Sequence, residues 1–129
     1  MGFLQPYQPQ IYALFRVVFG LIFLMHGLQK ILAGEPPEQM PALMFWTAAA
    51  IETVGGGLVM LGLFAAPAAF ICSGMMAVAY FMVHQPQALW PLENNGEAAI
   101  LYCWAFFLIA SRGSGMWSVD AVRGTSSRA

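Results

Sequence analysis

Four long apolar stretches fill most of this chain, and each has about the length of a helix that crosses a membrane. They run over residues 12–32, 42–63, 67–84 and 95–111. A helix rises about 1.5 Å per residue, so about 17–25 residues cross about 30 Å of hydrocarbon. The stretches therefore predict an all-α fold, an integral membrane four-helix bundle, with residues 1–129 forming one domain.

The composition also indicates a membrane protein. The chain is 60% hydrophobic and only 9% charged, whereas about 25% of the residues of a soluble domain are charged. Its formal net charge of -1 leaves no dense basic patch, so we expect no nucleic-acid partner. The expected surroundings are the lipid bilayer and other membrane protein subunits.

The cations are divided unevenly between the two ends of the predicted bundle. Four arginines lie on the side of the two termini: Arg16, Arg112, Arg123 and Arg128. The opposite side has one lysine, Lys30, beside three acids: Glu35, Glu38 and Glu93. Because cytoplasmic flanks are enriched in Lys and Arg, this distribution predicts that both termini are cytoplasmic. The segment Met1–Gln10 has no Lys or Arg, unlike a signal peptide, so we expect the first helix to be retained.

The first two predicted helices carry complementary polar groups. Five residues at steps of three or four share one face of the first helix: Arg16, Gly20, Phe23, Gly27 and Lys30. A face of small and polar residues packs against protein in lipid, so the partner helix should carry an acid. Glu52 supplies it, about 15 Å below the outer end of the second helix. His26 comes within reach of Glu52 if the two helices adjoin.

Six polar residues fall in the outer half of the predicted bundle: His26, Lys30, Glu52, Tyr80, His84 and Glu97. They form either a pocket that binds a headgroup or relays a proton, or a set of interhelical hydrogen bonds that hold the bundle together. No His-x-x-x-His or Glu-x-x-His spacing is present, so we expect no metal site. Cys72 and Cys103 are not in a Cys-x-x-Cys pair, and we expect both to be free.

The C-terminal segment allows two interpretations of Asp120. It folds back to pair with Arg16 while Ser118 caps a short helix, or it is a solvated interfacial acid beside Arg112 and Arg123.

Four motifs, taken in order along the chain, resemble the DoxX family of membrane proteins. They are Arg16-Val-Val-Phe-Gly20 with His26-Gly27-Leu-Gln-Lys30, Glu52-Thr-Val-Gly55-Gly56, Asn95-Gly96-Glu97, and Gly113-Ser-Gly115-Met-Trp-Ser118-Val-Asp120. In the last motif Ser114 stands where the family often has proline, which should loosen the turn. The resemblance implies a four-helix protein of the bacterial inner membrane, associated with redox systems that include quinone-linked sulfur oxidation and oxidative-stress complexes.

Two functional hypotheses follow from the residues and the resemblance. In the first, the chain is a structural or accessory subunit of a larger membrane redox or energy-converting complex, without catalytic activity of its own. In the alternative, it is a quinone-binding oxidoreductase module, in which Glu52 and His26 exchange a proton with a quinone headgroup sheltered by Trp90. The sequence has no inverted repeat or broken helix that would favour a transporter.

Overall fold

The computed structural model describes residues 1–124, and this part of the chain is helical and contains no strand. A 3-10 turn, Gly2–Tyr7, leads into α1, and the remaining helices follow in order: α1 Gln8–Ala33, α2 Ala42–Leu61, α3 Ala65–His84, α4 Glu97–Arg112 and the short α5 Val119–Val122. Within the described residues, α1 to α4 overlap the apolar stretches of the sequence. Arg128, one of the arginines used to predict the orientation, lies outside the described residues.

Within residues 1–124, three segments are long and apolar enough to cross a membrane: Gly2–Ala33, Ala42–Leu61 and Ala65–His84. The fourth helix, α4, has 16 residues, which corresponds to about 24 Å, and packs along α3. Ser73 Oγ of α3 donates a hydrogen bond of 2.8 Å to the carbonyl oxygen of Cys103 in α4. Many large apolar side chains are exposed on the outside, including Phe70, Phe81 and Trp104, as expected of a surface that faces lipid.

The chain reverses tightly between α2 and α3. α2 ends at Leu61, the next residue Gly62 has a φ of 69° in the left-handed region, and α3 begins at Ala65. Because the connection is so short, the two helices are antiparallel neighbours. α3 starts two residues before Pro67, because proline is tolerated in the first turn of a helix.

α1 and α2 approach each other closely along the predicted small-residue face. A Cβ atom on Gly56 would lie 2.5 Å from the backbone nitrogen of Leu24, and one on Gly20 would overlap the backbone of Met60. Only glycine permits this distance between the two backbones. The prediction that the α1 stripe packs against protein is confirmed, since Arg16, Gly20, Phe23 and Gly27 are buried.

Aromatic side chains fill the space between α1 and α4. Phe23 is 1% exposed, and its ring centroid lies 4.6 Å from that of Phe106 and 5.5 Å from that of Tyr102. Cys72 of α3 and Val59 of α2 complete this core. The four helices therefore share one core. This core holds in place the residues at the two ends of the bundle.

Candidate functional site

One end of the bundle, which we name the terminal end, is organised around Arg16. At the terminal end, four parts of the chain meet: the start of α1, the end of α2, the start of α3 and the segment after α4. The Arg16 side chain is wholly buried, and its guanidinium donates hydrogen bonds to the carbonyl oxygens of Val59 and Met60 at 2.7 Å and of Trp117 at 2.8 Å. Arg16 thus joins α1 to the end of α2 and to the C-terminal segment.

Asp120 is buried at the terminal end, so the interpretation of it as a solvated interfacial acid is wrong. Its Oδ2 accepts a hydrogen bond of 2.5 Å from Ser114 Oγ, and its carboxylate also accepts from the backbone amides of Phe64 and Ala65. The predicted cap of the short helix is confirmed, because Ser118 Oγ accepts from the Ala121 amide at 3.1 Å.

The environment of Asp120 favours its charged form. Burial by itself raises the pKa of this carboxyl group, but the hydrogen bonds from Ser114 and from the Phe64 and Ala65 amides, together with the charge of Arg123, lower the pKa below its usual value of 3.8. The carboxylate therefore caps the start of α3. The contacts of Arg16 and Asp120 are those of a structural clamp.

The opposite end, which we name the loop end, holds an ion pair within the bundle. Lys30 Nζ of α1 lies 2.6 Å from Glu52 Oε2 of α2, and the two side chains are 25% and 7% exposed. The acid predicted on the partner helix is therefore paired, and its cation is Lys30 where His26 was expected. Glu52 lies in a π-helical turn, Ile51–Gly55, and such turns occur frequently at functional sites.

A cavity of about 530 Å³ lies beside this ion pair, between α2 and α3. Lys30, Glu52 and His84 provide its charged and titratable lining. The rest is largely apolar and includes five methionines: Met40, Met44, Met75, Met76 and Met82. Leu43 and Val78 line the cavity and are 82% and 55% exposed. The cavity therefore opens sideways, toward the surface that faces lipid.

His84 is fixed by the loop that follows α3. His84 Nδ1 lies 3.0 Å from the carbonyl oxygen of Asn94, and Asn94 Nδ2 donates to Tyr80 Oη at 3.3 Å and to the Ala88 carbonyl oxygen at 3.0 Å. Asn94 Oδ1 accepts from the Gly96 amide at 2.8 Å. Tyr80 and His84 belong to a second π-helical turn, Tyr80–His84.

The central role of Asn94 was missed by the sequence analysis. Its side chain is wholly buried, although it lies in a loop between two apolar stretches. The run Asn94-Asn95-Gly96 is the signal that could have identified it, because asparagine side chains accept bonds from nearby backbone amides in turns.

The structure separates the six predicted pocket residues. Lys30, Glu52 and His84 line the cavity, and Tyr80 is joined to His84 through Asn94. His26 is exposed, with its ring edge-on to Tyr102 at 6.0 Å between centroids. Glu97 is exposed at the first position of α4.

Three further predictions concern the surroundings of the site. Trp90, the expected shelter of a headgroup, is 64% exposed and does not line the cavity. Cys72 and Cys103 are free, as predicted. Within residues 1–124, no three His, Cys, Asp or Glu side chains are grouped so that they could hold a metal ion.

Comparisons with known proteins bear on the part of the chain that carries the cavity. The model of the DoxX family matches residues 11–85, which include the lining residues named above. The resembling motifs at residues 95–97 and 113–120 lie beyond that match. A Haemophilus influenzae protein named "Uncharacterized protein" is 37% identical over 130 residues, which cover 93% of this chain and 96% of the relative.

A second relative carries a functional name. A Bacillus subtilis protein named "Putative oxidoreductase CatD" is 43% identical over 56 residues, which cover 39% of this chain and 42% of the relative. No solved structure matches the chain.

Proposed function

The chain belongs to the DoxX family of membrane proteins, and from this premise we propose that it is a subunit of a membrane redox system that binds a quinone headgroup in the cavity between α2 and α3. The ion pair Lys30–Glu52 on the wall of an apolar cavity carries this proposal. Ligand sites are mostly apolar with a few polar groups that orient the ligand, and about 300–1,000 Å³ is their usual volume. The oxidoreductase name of the Bacillus subtilis relative agrees with redox chemistry.

The ion pair supports a role in binding more than a role in stability. Desolvation of two charges offsets much of their attraction, so a buried ion pair is weak evidence for stabilisation. Ionisable groups at membrane depth are, as a default, candidates for function. A quinone carbonyl oxygen would accept a hydrogen bond from the Lys30 ammonium, while the isoprenoid tail leaves through the lateral opening beside Leu43 and Val78.

The same pair suits the proton chemistry of a quinone. Two-electron reduction of a quinone to a hydroquinone takes up two protons. The Lys30 ammonium can donate one of them to a carbonyl oxygen, and Glu52 can donate the other once its carboxylate has accepted a proton from the aqueous side. A partner subunit of the redox system would supply the electrons. In this proposal His84, on the wall of the same cavity, exchanges protons with the aqueous side of the loop end.

Quinone binding is tested by photolabelling in lipid nanodiscs. An azido-quinone should label cavity residues such as Met44 and Met75. Glu52→Gln should reduce that labelling, because Lys30 would lose the carboxylate that holds its ammonium at the cavity wall. Glu93→Gln is the matched control, because Glu93 is an exposed acid of the loop end outside the cavity. Labelling spread evenly over the lipid-facing surface, or equal labelling of the two variants, would contradict the proposal.

The membrane arrangement belongs to the same proposal. We propose that α4 is a fourth span, that both termini are cytoplasmic and that the membrane is the bacterial inner membrane. Supporting observations are the packing of α4 along α3, the exposure of Arg112 and Arg123 at the terminal end and the bacterial origin of both relatives. A reporter that works only in the cytoplasm should be active when it is fused to either terminus. If a reporter that works only in the periplasm were active at one terminus and not at the other, an even number of spans would be refuted.

A second candidate function rests on His26. This side chain is exposed on a face of α1 that is otherwise largely apolar, beside Ile22 and Met25. A polar ring facing lipid is costly, and such residues in membranes face protein partners or cavities. The observation favours an accessory subunit whose α1 face docks on a larger redox or energy-converting complex.

Docking is tested by native electrophoresis of membranes solubilised in mild detergent, with mass spectrometry of the bands. The chain should migrate with a larger complex, and His26→Ala should release it as a small particle. Gln87→Ala provides the control, because Gln87 is an exposed polar residue of the loop end that lies outside α1. A wild-type chain that migrates alone would contradict docking, and so would equal release of the two variants.

A further inference from the structure

A second cavity, at the terminal end, is the site of a separate inference that does not depend on quinone binding. We propose that it binds the phosphate headgroup of an anionic phospholipid through Arg112. The cavity has a volume of about 460 Å³ and lies where the start of α1 meets the end of α4. Arg112, Gln5 and Gln8 form its polar lining.

The apolar lining continues from these polar residues toward the middle of the bundle. Ile11 and Phe15 of α1 face Leu108 of α4 across the cavity. Ile11 is 46% and Leu108 is 45% exposed, so the groove is open to lipid. A cation beside an apolar groove is complementary to a phospholipid, whose phosphate and acyl chain meet at the same boundary.

The depth of the cavity matches the membrane interface. Gln8 is 22 residues before Lys30 in one continuous helix, so the two residues are about 33 Å apart along the axis. This distance is close to the thickness of the hydrocarbon, about 30 Å. With Lys30 near one boundary of the hydrocarbon, Gln8 and the preceding turn Gly2–Tyr7 lie at the headgroups of the other leaflet.

The charge of the cavity calls for an anion. The Arg112 guanidinium carbon lies 4.6 Å from the centre of the Tyr12 ring, and none of the described residues that line the cavity is acidic. The Tyr12 hydroxyl donates to the Gly113 carbonyl oxygen at 2.6 Å, which fixes the ring beneath the cation. A guanidinium held in this way is well suited to donate paired hydrogen bonds to a phosphate.

Native mass spectrometry of the full chain, extracted from vesicles of equal phosphatidylglycerol and phosphatidylcholine, tests this inference. The wild type should retain phosphatidylglycerol over phosphatidylcholine, and Arg112→Gln should lower that preference at least about tenfold, since a hydrogen bond between charged groups contributes at least about 1.5 kcal/mol. Compared with Arg112→Gln, Arg112→Lys should restore most of the preference if charge alone is needed, and only part of it if the paired hydrogen bonds matter. A lysine variant that restores none of the preference would overturn the assignment to Arg112.

Arg123→Gln is the matched control. Arg123 is at the same end of the bundle and lies over an aromatic ring, with its guanidinium carbon 5.1 Å from the centre of Phe64, but it does not line the cavity. Equal losses in the two arginine variants would indicate diffuse attraction to the membrane and would overturn the proposal. Displacement of phosphatidylglycerol by excess inorganic phosphate would assign the site to a free anion and would also overturn it.

Discussion

Replacement of Arg16 by methionine should destabilise the whole bundle. The substitution keeps most of the apolar stem but removes the donors of three hydrogen bonds of 2.7, 2.7 and 2.8 Å. A hydrogen bond from a charged donor contributes about 1.5–3 kcal/mol, so the three would sum to about 4.5–9 kcal/mol if they were independent. Since they share one guanidinium and the substitution also removes the cost of burying its charge, we expect a loss of about 3–5 kcal/mol.

The measurement is the free energy of unfolding in mixed micelles, followed by far-ultraviolet circular dichroism as dodecyl sulfate is added. Arg123→Met is the control, because Arg123 is exposed at the same end; its interactions with Asp120 and Phe64 are made from the surface, so it should change the free energy by less than about 1 kcal/mol. Arg16→Lys should lie between the two, since one ammonium cannot reach all three carbonyl groups. If Arg16→Met lost less than about 1 kcal/mol, the clamp would not hold the terminal end together.

Three further predictions concern stability. Gly56→Ala should cost about 1–3 kcal/mol, because the new Cβ would meet the backbone of α1; Gly57→Ala, where the Cβ meets nothing within 4 Å, should not destabilise in the same unfolding assay, and equal losses would refute the close approach. The pKa of Asp120 in the folded protein is lower than its usual value of 3.8. The charged carboxylate therefore stabilises the folded state fully above pH 3.8, and this stabilisation is lost as the pH falls through the pKa of the folded state. Asp120→Asn should therefore be less stable than wild type at neutral pH and lose less stability on acidification; parallel pH profiles would contradict the bonding described. Asn94→Ala should cost about 1–3 kcal/mol and loosen the loop end, as measured by faster hydrogen exchange there, while the exposed Gln87→Ala serves as control; unchanged exchange would argue against the role of Asn94.

The predicted helices were recognisable because apolar length and composition act locally. The burial of Gly20 and Gly27 followed from their spacing, since residues at steps of three or four share a helix face whatever the partner is. The same spacing placed Lys30 on the face opposite an acid, but it could not decide whether Lys30 or the nearby His26 would pair with Glu52. His26 and Lys30 are one turn apart, and a rotation of α1 by a fraction of a turn decides which of them faces α2.

The C-terminal segment also contains one feature that the sequence predicted and another that it did not. The cap at Ser118 is a local event and was predicted from the sequence. The acceptors of Arg16 are backbone carbonyl oxygens of two segments that are more than 40 residues away along the chain, and no side-chain motif marks such acceptors. The buried Asn94 was missed for a related reason, because its partners are backbone groups and a tyrosine of the preceding helix.

The sequence by itself therefore determined that this is an all-helical membrane protein, with the positions of its helices and the face on which α1 packs, because helix formation in an apolar solvent depends on local length and composition. Only the tertiary structure decided that Lys30, Glu52 and His84 share one lateral cavity and that His26 and Glu97 lie elsewhere. Those outcomes depend on the rotation and crossing of packed helices, which are set by contacts between residues far apart in the chain.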